Sequence, residues 1–377
     1  MPLKVKENKM VSAYLLFFLI HSSQTGIGVL KFQTEIIKGA AQDAWLSVLI
    51  VGLSMHILFF MILHIIRHSS QGDLISFHTD IFGKFLGGIL NMMVVIYFFA
   101  VGLVAIQSYV DILDIWVFDG IPVWEFTLLI CVIIYYLVSG GFRIITGVAF
   151  WGTVIPPFLL LSIIYLFTLS DYTYIMPFFN HSFKDYLISA RESGFMYFGF
   201  ETALVFFPFI KNGMKSSKWG HLALLYTTII YVIVTFLTFT YFTQGKLEHL
   251  AWPTLSMIQI IQLPFMERFE FIFIFTWLLV VIPVVCIYLW ASTRIIKLTF
   301  SKLKPTYVLF GLIGSYFLIV SIVVDLSTKK ILEKAVSYFG LAFLFGYIPL
   351  LFIISLIKSM KDKRKQKLQG NLANSET

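Results

Sequence analysis

The residue best placed to do chemistry is Glu201. It lies in an otherwise apolar stretch, ARESGFMYFGFETALVFFPFI over 190–210, about halfway between Arg191 and Lys211. A carboxylate in hydrocarbon costs at least about 2.5 kcal/mol on insertion scales, so such a group is a functional candidate. It is protonated, paired or facing water; the alternative to a functional role is a neutral acid hydrogen-bonded to a neighbouring helix. A second polar cluster interrupts MVSAYLLFFLIHSSQTGIGVL, residues 10–30, where His21, Ser22, Ser23, Gln24 and Thr25 run into Gly26 and Gly28. Each glycine is about 1 kcal/mol poorer than alanine inside a helix. Two of them beside a polar run invite unwinding, and the freed backbone groups then need a ligand, an ion, water or another helix. The competing reading is close helix packing through small residues. Gly194, Gly199 and Pro208 interrupt the Glu201 stretch in the same way. The candidate ligand-binding set is therefore Gln24, Thr25, Gly26 and Gly28 from the first stretch, Gly199, Phe200 and Glu201 from the second, and Tyr97 from a third stretch that also carries Asn91 and Gln107.

Other chemistry-bearing residues are less organised. Cys131 and Cys286 sit inside apolar runs with no metal or disulfide spacing and read as packing residues. His56 and His64 are eight apart and share a helix face, but no third metal ligand accompanies them. Asp111, Asp114, Asp119 and Glu125 form an acidic stretch that would draw cations to a vestibule, or simply a solvated loop. Ser292 and Thr293 adjoin Arg294, which argues against a sodium site there. The sequence contains no phosphate-binding glycine loop, catalytic triad or metal-ligand cluster, so it reads as a non-enzyme without cofactor or metal.

The elements that position these residues are membrane spans. Hydrophobic residues make up 59% of the 377 and charged residues 13%, with mean hydropathy +0.88; a soluble domain carries about 25% charged residues. About 20 helical residues cross a hydrocarbon core of about 30 Å. The uncharged runs give an all-α integral membrane protein of about ten helices, at 10–32, 44–66, 85–110, 122–142, 144–168, 187–210, 219–243, 269–293, 305–324 and 335–357, in one membrane domain over 1–360. Segments such as 222–242 are apolar all round, without the alternation of barrel strands. With a cytoplasmic N-terminus, 19 of the 28 Lys and Arg fall on the inner side, which places both termini in the cytoplasm by the positive-inside rule. The discordant segment is 325–334, with Lys329, Lys330 and Lys334 outside. The first apolar run is too long for a cleaved signal and remains as a helix. The inner segment 68–84 is expected to lie against the membrane, and 253–265 to form an interfacial helix ending near Pro264, either folded over a vestibule or resting on lipid. Residues 361–377 read as a disordered cytoplasmic tail. The two interrupted spans, the first and the sixth, stand five helices apart, the pattern of a five-plus-five inverted repeat.

The chain resembles the spore-germination permeases, the B subunits of nutrient germinant receptors, within the amino acid/polyamine/organocation superfamily. The resemblance spans about residues 8–360 and rests on GIGVL at 26–30, GKFLGG at 83–88 and FGFETALVFFP at 198–208. It implies a LeuT-like fold, a site for an amino acid, sugar or similar nutrient, a larger A subunit and a lipoprotein C subunit as partners, and location in the inner spore membrane. A proton-coupled amino-acid transporter of the same superfamily is the alternative, and an ion or water channel, or a structural membrane subunit, a third reading.

Overall fold

The computed structural model describes residues 5–118, 120–261, 268–323 and 325–360. Ten α-helices of ten or more residues occur among them: α1 Leu15–Gln24, α2 Ala44–Arg67, α3 Leu74–Trp116, α4 Val123–Ser139, α5 Phe142–Val154, α6 Phe183–Gly194, α7 Ser217–Tyr241, α8 Phe269–Thr299, α9 Pro305–Ile322 and α10 Leu326–Ala342. No named strand occurs among the described residues. Seven helical stretches are long and apolar enough to cross a membrane, and Leu15–Gln24, Val123–Ser139 and Phe200–Phe209 are shorter apolar helices. The outward faces of the long helices carry bare hydrophobic side chains such as Phe85, Ile96, Tyr136, Phe310 and Ile322, a surface that suits hydrocarbon and not water.

Several elements depart from the lengths the uncharged runs suggest, because charged or polar residues that look like loop residues are buried against partners. The third helix begins at Leu74 and not near residue 85. Asp73 caps it, accepting from the Ser76 amide at 2.9 Å. Gly83 (φ 75°, ψ 177°) then turns the chain into the span, a backbone conformation that glycine adopts without a Cβ clash. Segment 74–78 is buried in the protein and does not rest on lipid: His78 Nδ1 lies 2.7 Å from Asn91 Oδ1 and its Nε2 2.7 Å from Tyr347 Oη. The tenth helix starts at Leu326, capped by Asp325, so the lysines of 325–334 lie on a helix. Lys329 pairs with Asp111 of α3 at 2.5 Å, and Glu333 accepts from Lys31 at 2.6 Å and Ser108 at 3.0 Å. The fifth segment is α-helical only to Val154; Pro156 opens a new turn, and a 3-10 stretch follows over Leu161–Leu169. The interfacial helix is Pro253–Ile258. It packs on the stretch of the first segment that follows the break, with Thr254 Oγ1 donating to the Val29 carbonyl at 3.0 Å, so it folds over the protein. Asp119, Leu263, Pro264 and the 361–377 tail lie outside the described residues.

In the bundle, α3 packs along α8, α2 along α7, and α1 against α5, α7 and α8. The start of the first segment is laced to the end of the sixth: the Val11 amide donates to the Phe209 carbonyl at 2.8 Å, and the Lys211 amide to the Val11 carbonyl at 2.9 Å. Arg294 reinforces this end. Its guanidinium lies 3.2 Å from Asp73 and covers the rings of Phe209 and Trp290. Asp73→Ala removes a helix cap, worth about 1 kcal/mol, and leaves a largely buried guanidinium without its carboxylate, which costs up to about 3–5 kcal/mol. Since Arg294 keeps partial solvent access and two aromatic faces, we expect a total loss of about 2–4 kcal/mol, read as a lowered midpoint in thermal unfolding of the detergent-purified protein. An unchanged midpoint would remove this lock from the account.

Candidate functional site

Helix α1 stops at Gln24. Thr25 is extended (φ −84°, ψ 97°), and helix resumes at Gly28. Local hydroxyls take up carbonyls at the break: Ser23 Oγ donates to Ile20 O at 2.8 Å and Thr25 Oγ1 to His21 O at 2.9 Å. The sixth segment breaks on the same scale. After α6 comes one 3-10 turn, Phe195–Tyr197, then extended Phe198 (φ −61°, ψ 150°) and Gly199 at φ 129°, ψ −44°, before helical turns carry on through Phe209. Only glycine fits at 199, for two reasons. Its φ lies in the region L side chains avoid, and a Cβ there would stand 2.0 Å from the Ser23 carbonyl oxygen. The two breaks therefore touch, backbone against backbone.

Glu201 sits at this crossing, fully buried. Its Oε2 accepts from the Gly199 amide at 2.6 Å, satisfying a donor freed at the helical restart. Its Oε1 accepts from Tyr97 Oη of α3 at 3.0 Å and Tyr288 Oη of α8 at 2.7 Å. An ionised carboxylate accepts all three bonds; a protonated one adds an O–H that needs a further acceptor, or a reversed tyrosine to receive it. The opposite side of the crossing is braced as well. Tyr231 Oη of α7 lies 2.9 Å from Gln24 O and 3.0 Å from Met196 O, one carbonyl from each break. Gln24 Nε2 donates to Tyr197 O at 3.0 Å, and Trp277 Nε1 to Gly26 O at 3.3 Å. Among the described residues, the buried side-chain atoms without a partner include Ser22 Oγ, Gln24 Oε1, Ser292 Oγ and Thr293 Oγ1. The crossing is thus cross-braced, with Ser22 Oγ and Gln24 Oε1 of the first break unsatisfied, and a ligand that entered would exchange bonds with these braces.

Of the residues singled out in the sequence, Gln24, Thr25, Gly26, Tyr97, Gly199 and Glu201 come together at the crossing. Gly28 faces Met196 of the other break, with room for a Cβ, which would stand 3.9 Å from it. Phe200 does not converge: it is buried with its ring edge-on to Phe59 of α2, since the residue before Glu201 on a helical turn points to another face. Asn91 serves His78 and Thr299, not the crossing. His56 and His64 part company, to His221 and to Ser355. Cys131 and Cys286 are buried free thiols. Sequence reading missed Tyr288, Tyr231 and Trp277. The available signal was a polar tip inside an apolar span, since a buried tyrosine or tryptophan needs a partner.

A helical membrane bundle whose first and sixth segments break and cross defines a transporter-type fold. A solved structure of similar fold is MhsT in complex with L-phenylalanine, with TM-score 0.60 and 12% identity over 92% of this chain and 98% of that one. A family described as spore germination protein matches residues 10–329. Spore germination protein GerQB of Bacillus cereus is 34% identical over 348 residues, covering 92% of this chain and 96% of the relative. Spore germination protein B2 of Bacillus subtilis (strain 168) is 24% identical over 69% of this chain and 71% of its own length. The chain belongs to the spore germination protein family.

Proposed function

We propose that this chain is the membrane subunit of a nutrient germinant receptor, and that its crossing of broken helices binds a small nutrient, an amino acid, sugar or similar molecule, to trigger germination. The observation that carries the site is the contact of the two breaks at Gly199 and Ser23, with Glu201 tied to α3 and α8. Half-helix ends supply oriented amides for an anionic group and carbonyls for a cationic one. A ligand held between them shifts the balance of two arrangements only by its difference in affinity for each, and tenfold corresponds to about 1.4 kcal/mol. The shift passes to the partners expected for the family, a larger A subunit and a lipoprotein C subunit, in the inner spore membrane with both termini cytoplasmic. Gln24, Thr25, Gly26, Gly28, Tyr97, Gly199, Phe200 and Glu201 remain the proposed ligand-binding set, with Phe200 acting from behind the crossing.

The test uses the two open glycines. A Cβ at Gly26 meets Val284 at 3.6 Å and one at Gly28 meets Met196 at 3.9 Å, ordinary contacts. Alanine is therefore tolerated at either, while the larger side chain of Gly26→Leu presses on Val284 of α8 and that of Gly28→Leu on Met196 of the other break. The leucine variants are expected to raise the nutrient concentration for half-maximal germination about tenfold or more, equivalent to about 1.4 kcal/mol, or to change which nutrient acts. Membrane abundance is checked alongside, and non-nutrient triggers should still act on the same spores. Unchanged dose–response curves in both leucine variants would exclude this site. Saturable nutrient uptake by the isolated protein in liposomes would favour the proton-coupled amino-acid transporter instead.

A further inference from the structure

A cleft of about 830 Å³ lies away from the helix crossing, between the start of the first segment and α5. One wall follows a single face of α5: Arg143, Thr146, Gly147, Phe150 and Trp151, at the helical spacing of three and four. The facing wall is the Val11–Leu15 segment, and Lys211 and Glu7 stand at the mouth. The lining is polarised along its length. Arg143 and Lys211 mark one end, the end where the α4–α5 turn and the close of the sixth segment lie. Eight residues further along α5, about 12 Å at the helical rise, the cleft reaches the exposed Trp151. At Gly147 an added Cβ would meet nothing within 4 Å, so the track between the two ends is open.

The charges at the mouth are available. Arg143 donates to the Asn8 carbonyl at 3.0 Å and has no carboxylate partner among the described residues. Lys211 pairs with Glu7 at 3.2 Å, but both side chains are well exposed, and an exposed pair of this kind is worth little and readily exchanged. Counting Glu7 against the two cations, the lining carries a net positive charge. A cationic mouth leading to an aromatic and aliphatic track that opens on the lipid-facing surface matches a phosphate head followed by a hydrocarbon chain.

We infer that this cleft is a binding site for an anionic phospholipid, whose phosphate lies between Arg143 and Lys211 and one of whose acyl chains runs past Gly147 to Trp151. The occupant comes from the bilayer and not from free phosphate, because the track runs on from the charged end to Phe150 and the exposed Trp151, aromatic rings that a phosphate ion would not use. The site adjoins the Val11–Phe209 backbone bridge, so a bound lipid braces the start of the first segment where it meets the sixth.

The full-length protein, purified in mild detergent, is to be titrated with phosphatidylglycerol and with phosphatidylcholine, and the bound lipid counted by native mass spectrometry. Phosphatidylglycerol is expected to persist at least tenfold more strongly than phosphatidylcholine. Arg143→Gln combined with Lys211→Gln should remove that preference, while Arg143→Lys keeps it. Gly147→Leu, which leaves the charges in place and blocks the chain track, should weaken retention of both lipids. Size-exclusion elution and the thermal midpoint of each variant verify that it is folded, and the single Gly147→Leu and Arg143→Lys changes stand as independent arms if the double variant fails. Equal retention of the two lipids by the native protein would overturn the proposal, as would undiminished phosphatidylglycerol binding in Gly147→Leu. Displacement of phosphatidylglycerol by millimolar inorganic phosphate alone would likewise overturn it, by assigning the mouth to free phosphate.

Discussion

Gly199→Ala is expected to abolish the nutrient response and to lower the amount of folded protein, whereas Gly26→Ala leaves both close to native. The two substitutions add the same methyl group. At Gly199 the methyl would stand 2.0 Å from the Ser23 carbonyl oxygen and 2.3 Å from its carbon, on a backbone at φ 129°. Neither obstacle is the far end of a flexible side chain, so relief requires the two broken segments to move apart. Strained φ alone costs about 1–3 kcal/mol, and overpacking a tight contact typically adds about 1–3 kcal/mol. A total of about 2–6 kcal/mol is a large fraction of a typical folding free energy. At Gly26 the same methyl meets Val284 at 3.6 Å, an ordinary contact. The measurement is the pair of thermal midpoints for purified protein together with nutrient dose–response curves at matched membrane abundance. A Gly199→Ala protein with native midpoint and sensitivity would show that the breaks do not meet as described.

Glu201→Ala should be nearly as damaging, by a different route. Removing the carboxyl leaves the Tyr97 hydroxyl, the Tyr288 hydroxyl and the Gly199 amide without the acceptor they share. Each buried donor left unpaired costs about 1–3 kcal/mol, and the three belong to one network, so their sum overstates the loss. We expect about 3–5 kcal/mol of destabilisation and loss of the nutrient response. Glu201→Gln is the informative companion. Its amide oxygen can serve the Gly199 amide, but its nitrogen then takes the place of Oε1 and accepts from neither tyrosine, so both hydroxyls must turn to other acceptors. The glutamine protein is expected to stay folded while needing at least tenfold more nutrient, a difference of about 1.4 kcal/mol. A native response in Glu201→Gln would mean that a neutral hydrogen bond suffices; a native response in Glu201→Ala would remove Glu201 from the function altogether. Tyr288→Phe and Tyr97→Phe, each deleting a single donor, should fall between native and Glu201→Gln.

The membrane embedding and the positions of the two breaks could be read in the sequence, because both are local properties. A run of about 20 uncharged residues needs no distant partner to partition into hydrocarbon. Gly26 and Gly28 after a polar run, and Gly199 beside Glu201, weaken helix wherever they are placed. Helix ends were less legible where charge was buried. The segments 74–82 and 326–334 look like loops by composition, yet each is helix because Asp73 meets Arg294 and Lys329 meets Asp111. What holds Glu201 was not legible at all. Its tyrosine partners stand 104 and 87 residues away along the chain, on helices whose apolar pattern is satisfied by many rotations about their axes. Residue order alone requires a carboxylate and two weak points within the membrane. Which hydroxyls reach that carboxylate depends on the packing of α3 against α8, and of the two breaks against each other. Hydrogen-bond partners across a bundle are set by helix rotation and approach, and no local pattern encodes either.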